Sequence, residues 1–528
     1  MKGCLCTKIS ERVKGEAMRL KEMVGQKLMI GVSGAEMTDG MAEIFRETHA
    51  GGVIFFRPNF SDAKGFKKLI ADLESTLGRK LIVAVDHEGG RVIHLTEGVT
   101  VFPDNLALGK TRDESFAERQ GAIEALELRR LGIDLNLAPT LDVLTENFSP
   151  NIGIRSYGGN PDWVSKLGAA RIKAMQAGGL SACAKHFPGQ GQSPLDAHLK
   201  LPVLPTTWDE MKRVHIKPFV EAIRAGVDTV MSSHPVYPNL DPSPRTPATF
   251  SRKLVREYLR EELGFRGLIL SDDLEMGALS EIASIGESAC RAAEAGHDFI
   301  LVCHKAEAQR EAYHALLDAY RSKRLNSVEL EESVARIQAF AKKRPERFSG
   351  GTLCPESAGS GLASEIARKA VKVFKNHKML PLRIYRSGGR TLSVIFPKLS
   401  SLSRQVLIEE ECLDERSFIR KTFSSAGVVP KAIEIIPFDP SDGEIKETSE
   451  KVQASDLVVF FCYDAHLYPQ TKKLLDEIQS TMERCVIVLL RDPYDDEFVK
   501  PEAACVTAFG FRKAQIEAAV EALFSENS

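Results

Sequence analysis

Residues 115–139 read SFAERQGAIEALELRRLGIDLNLAP and contain the unit from which the fold of this chain can be predicted. Residues 115–132 space their apolar side chains as an amphipathic helix does. Residues 134–139 follow as a short apolar run, of the length typical of a buried strand. A helix that leads directly into a buried strand is the repeating unit of α/β proteins with parallel sheets.

Seven further apolar runs resemble residues 134–139 in length and in lacking a regular polar alternation. They are QKLMIGVSG (26–34), GGVIFF (51–56), KLIVAVD (80–86), LSACAKHF (180–187), GVDTVMSSH (226–234), GLILSD (267–272) and HDFILVC (297–303). Helical patterns lie between them, such as residues 251–264, where Ser251 is placed to be the N-cap. Eight β-α alternations predict a (β/α)₈ TIM-type barrel, and a doubly wound sheet is the competing interpretation.

We place the barrel domain at residues 1–345. The Gly-, Ser- and Pro-rich stretch at residues 346–365 predicts a linker after it. Residues 366–528 alternate again between apolar runs and helical patterns, which predicts a smaller three-layer αβα domain. This part of the chain has no complete G-x-G-x-x-G or P-loop pattern, so nucleotide binding has no support.

Composition is that of a globular protein and is compatible with a small neutral substrate. The 528 residues are 43% apolar and 27% charged with a net charge of −2, which argues against a nucleic-acid or membrane partner. The ten cysteines form no C-x-x-C pair and indicate reduced thiols. No signal peptide or membrane-spanning run is evident. We therefore expect a cytoplasmic monomer or weak homodimer, without a cofactor or metal.

The chemistry is predicted to centre on residues 183–202, CAKHFPGQGQSPLDAHLKLP. Here an apolar run ends in Lys185 and His186, and a glycine-rich turn leads to Asp196 and His198. A carboxylate two residues from an imidazole can orient it and raise its basicity, as general acid/base catalysis requires. The alternative is an ordinary surface loop.

Other polar residues also follow the apolar part of their runs, namely Asp86, His234 and Asp272. In a (β/α)₈ barrel the carboxyl ends of the strands meet at one rim, where active sites of this fold lie. Each residue alone is also compatible with a helix cap or a solvated loop position.

Taken together, these segments resemble the β-N-acetylhexosaminidases of glycoside hydrolase family 3. Residues 183–202 are similar to that family's K-H-F-P-G-H-G…D-S-H signature, and residues 264–279, GFRGLILSDDLEMGAL, to its G-F-x-G-x-x-x-S-D-D-L-x-M motif. DHEGGRV (86–92) and NIGIRSYGGNP (151–161) also match. Residues 367–382 and 490–495 resemble the family's C-terminal domain.

The resemblance implies a retaining exo-β-N-acetylglucosaminidase that acts on β-linked GlcNAc, such as that of cell-wall muropeptides. It makes Asp272 the nucleophile and His198, oriented by Asp196, the acid/base. The implied sugar ligands are Asp86, Arg155, Lys185 and His186. Asp273, beside the nucleophile, is interpreted as structural.

Four positions depart from the family pattern: Gln190 replaces a histidine, Ala197 a serine or threonine, His87 a glutamine, and His94 a sugar-binding arginine. These departures leave open another family 3 glycosidase or phosphorylase specificity. A catalytically silent sugar-binding homologue is the alternative from a different class. A metal-dependent hydrolase is disfavoured because H-x-H and H-E-x-x-H spacings are absent from the sequence.

Overall fold

The computed structural model describes residues 18–195, 200–344, 357–382, 385 and 389–525. Two compact units make up this structure. The first holds the described residues of Met1–His87, Ala117–Ile152 and Gly159–Cys354, and the second those of Glu88–Phe116, Gly153–Gly158 and Pro355–Ser528. Two short segments of the predicted barrel sequence thus belong to the second unit. The boundaries 1–345, 346–365 and 366–528 remain a proposal drawn from the sequence.

Eight parallel strands form the centre of the first unit, one in each apolar run. They are β1 Leu28–Gly31, β2 Gly52–Phe55, β3 Ile82–Val85, β4 Leu135–Asn136, β5 Ser181–Phe187, β6 Thr229–Ser232, β7 Leu268–Leu270 and β8 Ile300–Val302. The sheet runs from β7 through β1 to β8, and a parallel bridge between Leu270 and Phe299 joins its two ends. The predicted TIM-type barrel is confirmed, whereas a doubly wound sheet would have left two open edges.

Helices follow the strands around the barrel. The main ones are Asp39–Thr48, Ala63–Leu77, Ser115–Leu131, Pro161–Ala177, Lys217–Arg224, Lys253–Glu262, Ile285–Ala295, Ala306–Arg321 and Ser327–Lys343. Their ends carry the expected signals: Asp62 accepts a hydrogen bond from the Gly65 backbone N–H, and Ser251 accepts one from that of Leu254. In the described parts of the chain, we find no helix both long and apolar enough to cross a membrane.

Apolar side chains fill the barrel interior. One buried cluster contains Met29, Ile54, Ala84, Leu135, Cys183, Met231, Leu270 and Leu301, with residues from seven further positions. Burying one leucine or isoleucine side chain contributes roughly 1.5–3 kcal/mol. This packed interior supports the strand ends on which the candidate site lies.

The second unit is built on a six-stranded sheet ordered β11-β10-β12-β13-β14-β9. Its strands are β9 Lys372–Lys375, β10 Leu392–Pro397, β11 Ala432–Ile436, β12 Leu457–Cys462, β13 Cys485–Leu489 and β14 Ala504–Thr507. All pairs are parallel except β14 with β9. The helices of this unit are Asn105–Thr111, Ser357–Ala370, Glu415–Ser425, Asp442–Val452, Pro469–Thr481 and Lys513–Phe524.

Successive residues of the central strands of this sheet belong to different hydrophobic clusters. In β12, Val459 and Phe461 lie in one cluster, and Val458 and Phe460 in the other. Because side chains alternate between the two faces of a strand, the sheet is buried on both sides. This is the predicted three-layer arrangement.

A helix from Ser357 to Ala370 occupies part of the segment that was interpreted as a linker. A Cβ atom on Gly359 would lie 1.8 Å from the Thr100 hydroxyl oxygen, so glycine is needed here for close packing. Residues 345–356 lie outside the described structure. The linker interpretation therefore stays a prediction for 346–356 only.

Candidate active site

An ion pair joins two of the expected sugar ligands at the carboxyl ends of β3 and β5. The Lys185 Nζ lies 2.5 Å from the Asp86 Oδ1. The lysine side chain is 3% exposed and the aspartate side chain 20% exposed, so the pair lies at the border between the core and solvent. Charged groups held in this way are strong hydrogen-bond partners for a neutral ligand once water is excluded.

His186, which follows Lys185 through a cis peptide bond, is held by a carboxylate that the sequence analysis did not single out. The His186 Nδ1 lies 2.7 Å from the Oδ2 of Asp142, which lies beyond the end of β4 and is completely buried. The Asp142 Oδ1 also accepts a hydrogen bond from the Gln190 backbone N–H at 2.7 Å. One carboxylate thus holds both the imidazole and the first part of the glycine-rich turn.

Asp272 lies two residues beyond β7, and its Oδ1 accepts a hydrogen bond from the Asp273 backbone N–H at 2.9 Å. The Asp273 carboxylate instead accepts from the backbone N–H of Cys303 and pairs with His304 at 3.2 Å. Asp273 therefore ties the turn after β7 to the turn after β8. This agrees with a structural role for Asp273 and leaves Asp272 as the candidate nucleophile.

His234, after β6, lies beneath the same turn. Its Nε2 is 2.9 Å from the Asp273 carbonyl oxygen, and its Nδ1 is 2.9 Å from the Thr249 hydroxyl. Burial lowers the pKa of His234, so the ring is neutral at pH 7. A carbonyl oxygen only accepts, so the neutral ring carries its proton on Nε2 and donates it to Asp273, which makes His234 a support for this turn.

In addition to burial, the negative charges of Asp86 and Asp272 both raise the pKa of two buried thiols, those of Cys183 and Cys303. Burial is the main cause that raises the pKa of Cys183 to about 12, and the negative charges of both aspartates raise it further. Both aspartates also contribute to the raised pKa of Cys303. Asp86 follows β3, Asp272 follows β7, and Lys185 and His186 lie at the carboxyl end of β5, so the parallel barrel brings all four to one end of its strands. The neighbouring thiols of Cys183 and Cys303 stay protonated.

Arg155, the remaining expected sugar ligand, belongs to the second unit. Its guanidinium makes two hydrogen bonds to Glu88, from Nη2 to Oε1 at 2.7 Å and from Nε to Oε2 at 3.0 Å. Its carbonyl oxygen accepts from the Asn105 side chain at 2.7 Å. Glu88 is another residue that the sequence analysis quoted without assigning a role. Its position within DHEGGRV was the available signal.

Asp196 and His198 lie outside the described residues. The acid/base pair thus remains a prediction from the sequence. Ala197 lies in the same gap.

Within the described residues, one group of side chains has the spacing of a metal site, namely Asp464, His466 and Asp495 of the second unit. Protein partners already occupy this group: the Arg491 Nη1 lies 2.5 Å from Asp464, and the His466 Nδ1 lies 2.8 Å from Asp495. We interpret it as a buried network of ion pairs and hydrogen bonds.

We expect Asp86→Asn to lower kcat/KM by about 100-fold, because it leaves the largely buried Lys185 ammonium without its countercharge at the position where the sugar is expected to bind. Asp72→Asn is the matched control. Asp72 also lies 2.5 Å from a lysine, Lys68, but that lysine is 74% exposed. Exposed pairs contribute about 0–1 kcal/mol. Steady-state kinetics and urea unfolding of both variants would test this, and equal effects on kcat/KM would contradict the role of Asp86.

Comparison with known proteins identifies the family to which these residues belong. Residues 19–340 match the family model described as "Glycosyl hydrolase family 3 N terminal domain". The chain is 38% identical over 285 residues to a beta-hexosaminidase of Neisseria meningitidis serogroup C, covering 53% of this chain and 78% of that protein. It is 32% identical over 421 residues to beta-hexosaminidase A of Pseudoalteromonas piscicida, covering 71% of this chain and 70% of that protein.

A similar solved structure covers both units. It is a glycoside hydrolase family 3 beta-N-acetylglucosaminidase from Paenibacillus sp. str. FPU-7, with a TM-score of 0.88 and 32% sequence identity. The match covers 96% of each chain.

Proposed function

The chain belongs to glycosyl hydrolase family 3, and from this membership we propose that it is a retaining exo-β-N-acetylglucosaminidase. The observation that carries the proposal is the placement of Asp272 at the same end of the barrel as the Asp86–Lys185 ion pair and His186. Relatives of 32–38% identity named beta-hexosaminidase support this activity.

The proposed reaction is a double displacement at the anomeric carbon. A carboxylate oxygen of Asp272 forms a bond to this carbon while the glycosidic C–O bond breaks, and His198 donates a proton to the leaving oxygen. In the second step, His198 takes a proton from water, and the water oxygen displaces Asp272 from the sugar. Two inversions give net retention of configuration. Asp196 orients the His198 ring.

The sugar ligands would be Asp86, Lys185, His186 and Arg155. The first three offer one carboxylate, one ammonium and one imidazole at a single end of the barrel. Such a set accepts and donates hydrogen bonds to ring hydroxyls and orients the anomeric carbon toward Asp272.

We extend the proposal to cell-wall muropeptides with a terminal β-linked GlcNAc as the substrate class. This step rests on the resemblance of residues 183–202 to the β-N-acetylhexosaminidase signature. Because Gln190, Ala197 and His94 depart from the family pattern, the test below also distinguishes hydrolysis of another sugar and phosphorolysis.

The test compares p-nitrophenyl β-GlcNAc with p-nitrophenyl β-glucoside, each with and without phosphate. We expect at least a roughly 100-fold preference for the GlcNAc substrate, because a site with buried polar groups discriminates strongly against a ligand that leaves them unpaired. The first product should be free β-GlcNAc by NMR, and phosphate should not change the product. A preference for the glucoside, or formation of a sugar phosphate, would overturn the assigned activity. Binding of GlcNAc without turnover of either substrate would indicate a silent homologue.

A further inference from the structure

Asp142 is a completely buried carboxylate at the candidate active site, and no step of the proposed reaction uses it. It is 0% exposed and lies beyond β4, at the same end of the barrel as His186. Its Oδ2 accepts from the His186 backbone N–H at 3.2 Å and lies 2.7 Å from the His186 Nδ1, and its Oδ1 accepts from the Gln190 backbone N–H. Because a carboxylate only accepts hydrogen bonds, each of these three nitrogens must direct an N–H group at Asp142.

The proton on the His186 ring follows from these contacts. A carboxylate only accepts hydrogen bonds, so the Nδ1 that faces Asp142 carries the hydrogen. In the neutral ring the Nε2 then has a lone pair and no proton. It can accept a hydrogen bond from a hydroxyl group but cannot donate one.

Two other described residues feel the charge of Asp142, namely His215 and Tyr237, and neither of them is a cation. Burial lowers the pKa of His215 to about 4, against the opposing effect of the Asp142 charge, so this ring is neutral. Burial also raises the pKa of Tyr237, which donates to the Gly189 carbonyl oxygen at 2.8 Å. Of these described groups, His186 is the one whose ring nitrogen lies within hydrogen-bond distance of the Asp142 carboxylate.

We propose that Asp142 is a positioning residue that holds His186 in the Nδ1–H tautomer, so that the His186 Nε2 accepts a hydrogen bond from one hydroxyl of the substrate sugar. The inference rests on the proposed function, which makes His186 a sugar ligand. The inference specifies the direction of the hydrogen bond between them: the sugar hydroxyl donates and the His186 Nε2 accepts.

Asp142→Asn tests this directly. A carboxamide has one acceptor oxygen and one donor NH₂, so it cannot accept from all the N–H groups that face Asp142. If its NH₂ faces the His186 Nδ1, it forces the proton onto Nε2 and reverses the direction of the sugar contact. Loss of a partner that orients a ligand typically costs 10–100-fold, and we expect kcat/KM toward p-nitrophenyl β-GlcNAc to fall by about this factor.

The decisive readout uses the 3-, 4- and 6-deoxyfluoro analogues of the same substrate, because fluorine cannot donate a hydrogen bond. In the wild type, one analogue should lose about 10–100-fold in kcat/KM, since it leaves the buried Nε2 lone pair unpaired. In Asp142→Asn that penalty should shrink to about threefold or less. His186→Ala should remove it as well.

Asp298→Asn is the matched control, because Asp298 is also completely buried in the barrel, just before β8 at the opposite ends of the strands. It should lower the unfolding temperature and leave the analogue penalty unchanged. An equal loss on all substrates in Asp142→Asn would show that Asp142 is only structural. A wild type that accepts every analogue equally would also overturn the inference.

If Asp142→Asn does not fold, ¹⁵N NMR of the His186 ring in the wild-type protein replaces it. A proton on Nδ1 alone supports the inference, and a proton on Nε2, with or without one on Nδ1, overturns it. Failure of the proposed function can be told apart from failure of the inference about Asp142, because in the first case the wild type would not hydrolyse p-nitrophenyl β-GlcNAc at all.

Discussion

Asp272→Ala is expected to lower kcat/KM toward p-nitrophenyl β-GlcNAc by about 10⁴-fold or more. Without the carboxylate, no covalent glycosyl intermediate can form, and the oxocarbenium-like transition state loses its closest negative charge. Asp273 cannot replace Asp272, because its carboxylate is engaged with Cys303 and His304.

Mass spectrometry makes the assignment specific. A 5-fluoro-GlcNAc fluoride forms a glycosyl-enzyme that hydrolyses slowly, and the labelled peptide should carry the sugar on Asp272. Glu281→Gln, at an exposed position after the same turn, should retain wild-type activity. A label on another residue, or a loss below about tenfold in Asp272→Ala, would be incompatible with Asp272 as the nucleophile.

His198→Ala should have the second largest effect, and its size should depend on the leaving group. Positioned acid/base catalysis contributes about 10²–10⁴-fold, so kcat/KM for an alkyl or disaccharide GlcNAc substrate should fall by about 10³-fold. A 2,4-dinitrophenyl leaving group needs no protonation, so its kcat/KM should fall much less. Added azide should restore turnover of the activated substrate as β-glycosyl azide, since azide attacks the intermediate without a general base.

Asp196→Asn should show the same dependence on the leaving group with a smaller loss. The control is His314→Ala, which removes another carboxylate-paired imidazole, 3.0 Å from Glu47 on the outer helices. It should leave both kinds of substrate unaffected. A His198→Ala enzyme with equal losses on good and poor leaving groups would assign proton transfer to a different residue.

The barrel could be predicted because its signals are local. In KLIVAVD (80–86) and GLILSD (267–272), a short apolar run and the polar residue that ends it are adjacent in sequence. The structure places β3 and β7 within those runs. The parallel barrel then brings Asp86 and Asp272 to the same end without any further information.

The residues that hold the site could not be predicted in the same way. Asp142 is 44 residues from His186, and Glu88 is 67 residues from Arg155. Glu88 lies in the motif DHEGGRV, but nothing in that motif indicates Arg155 as its partner, and nothing in the neighbourhood of Asp142 distinguishes it from other acidic residues near strand ends. Likewise, the glycines of residues 357–365 indicate a linker, whereas Gly359 lies in a helix, where the close approach of Thr100 leaves no room for a larger side chain.

The sequence by itself predicted the eight β-α alternations of the barrel, an αβα second domain, and the resemblance to the family to which the chain belongs. These properties depend on hydrophobic periodicity and on motifs whose residues are neighbours in the chain. Only the tertiary structure decided that Lys185 pairs with Asp86 and that Asp142 faces the His186 Nδ1. It also decided that residues 88–116 and 153–158 belong to the second unit. These arrangements depend on where distant segments meet, and that is set by the packing of the whole barrel and of the second sheet.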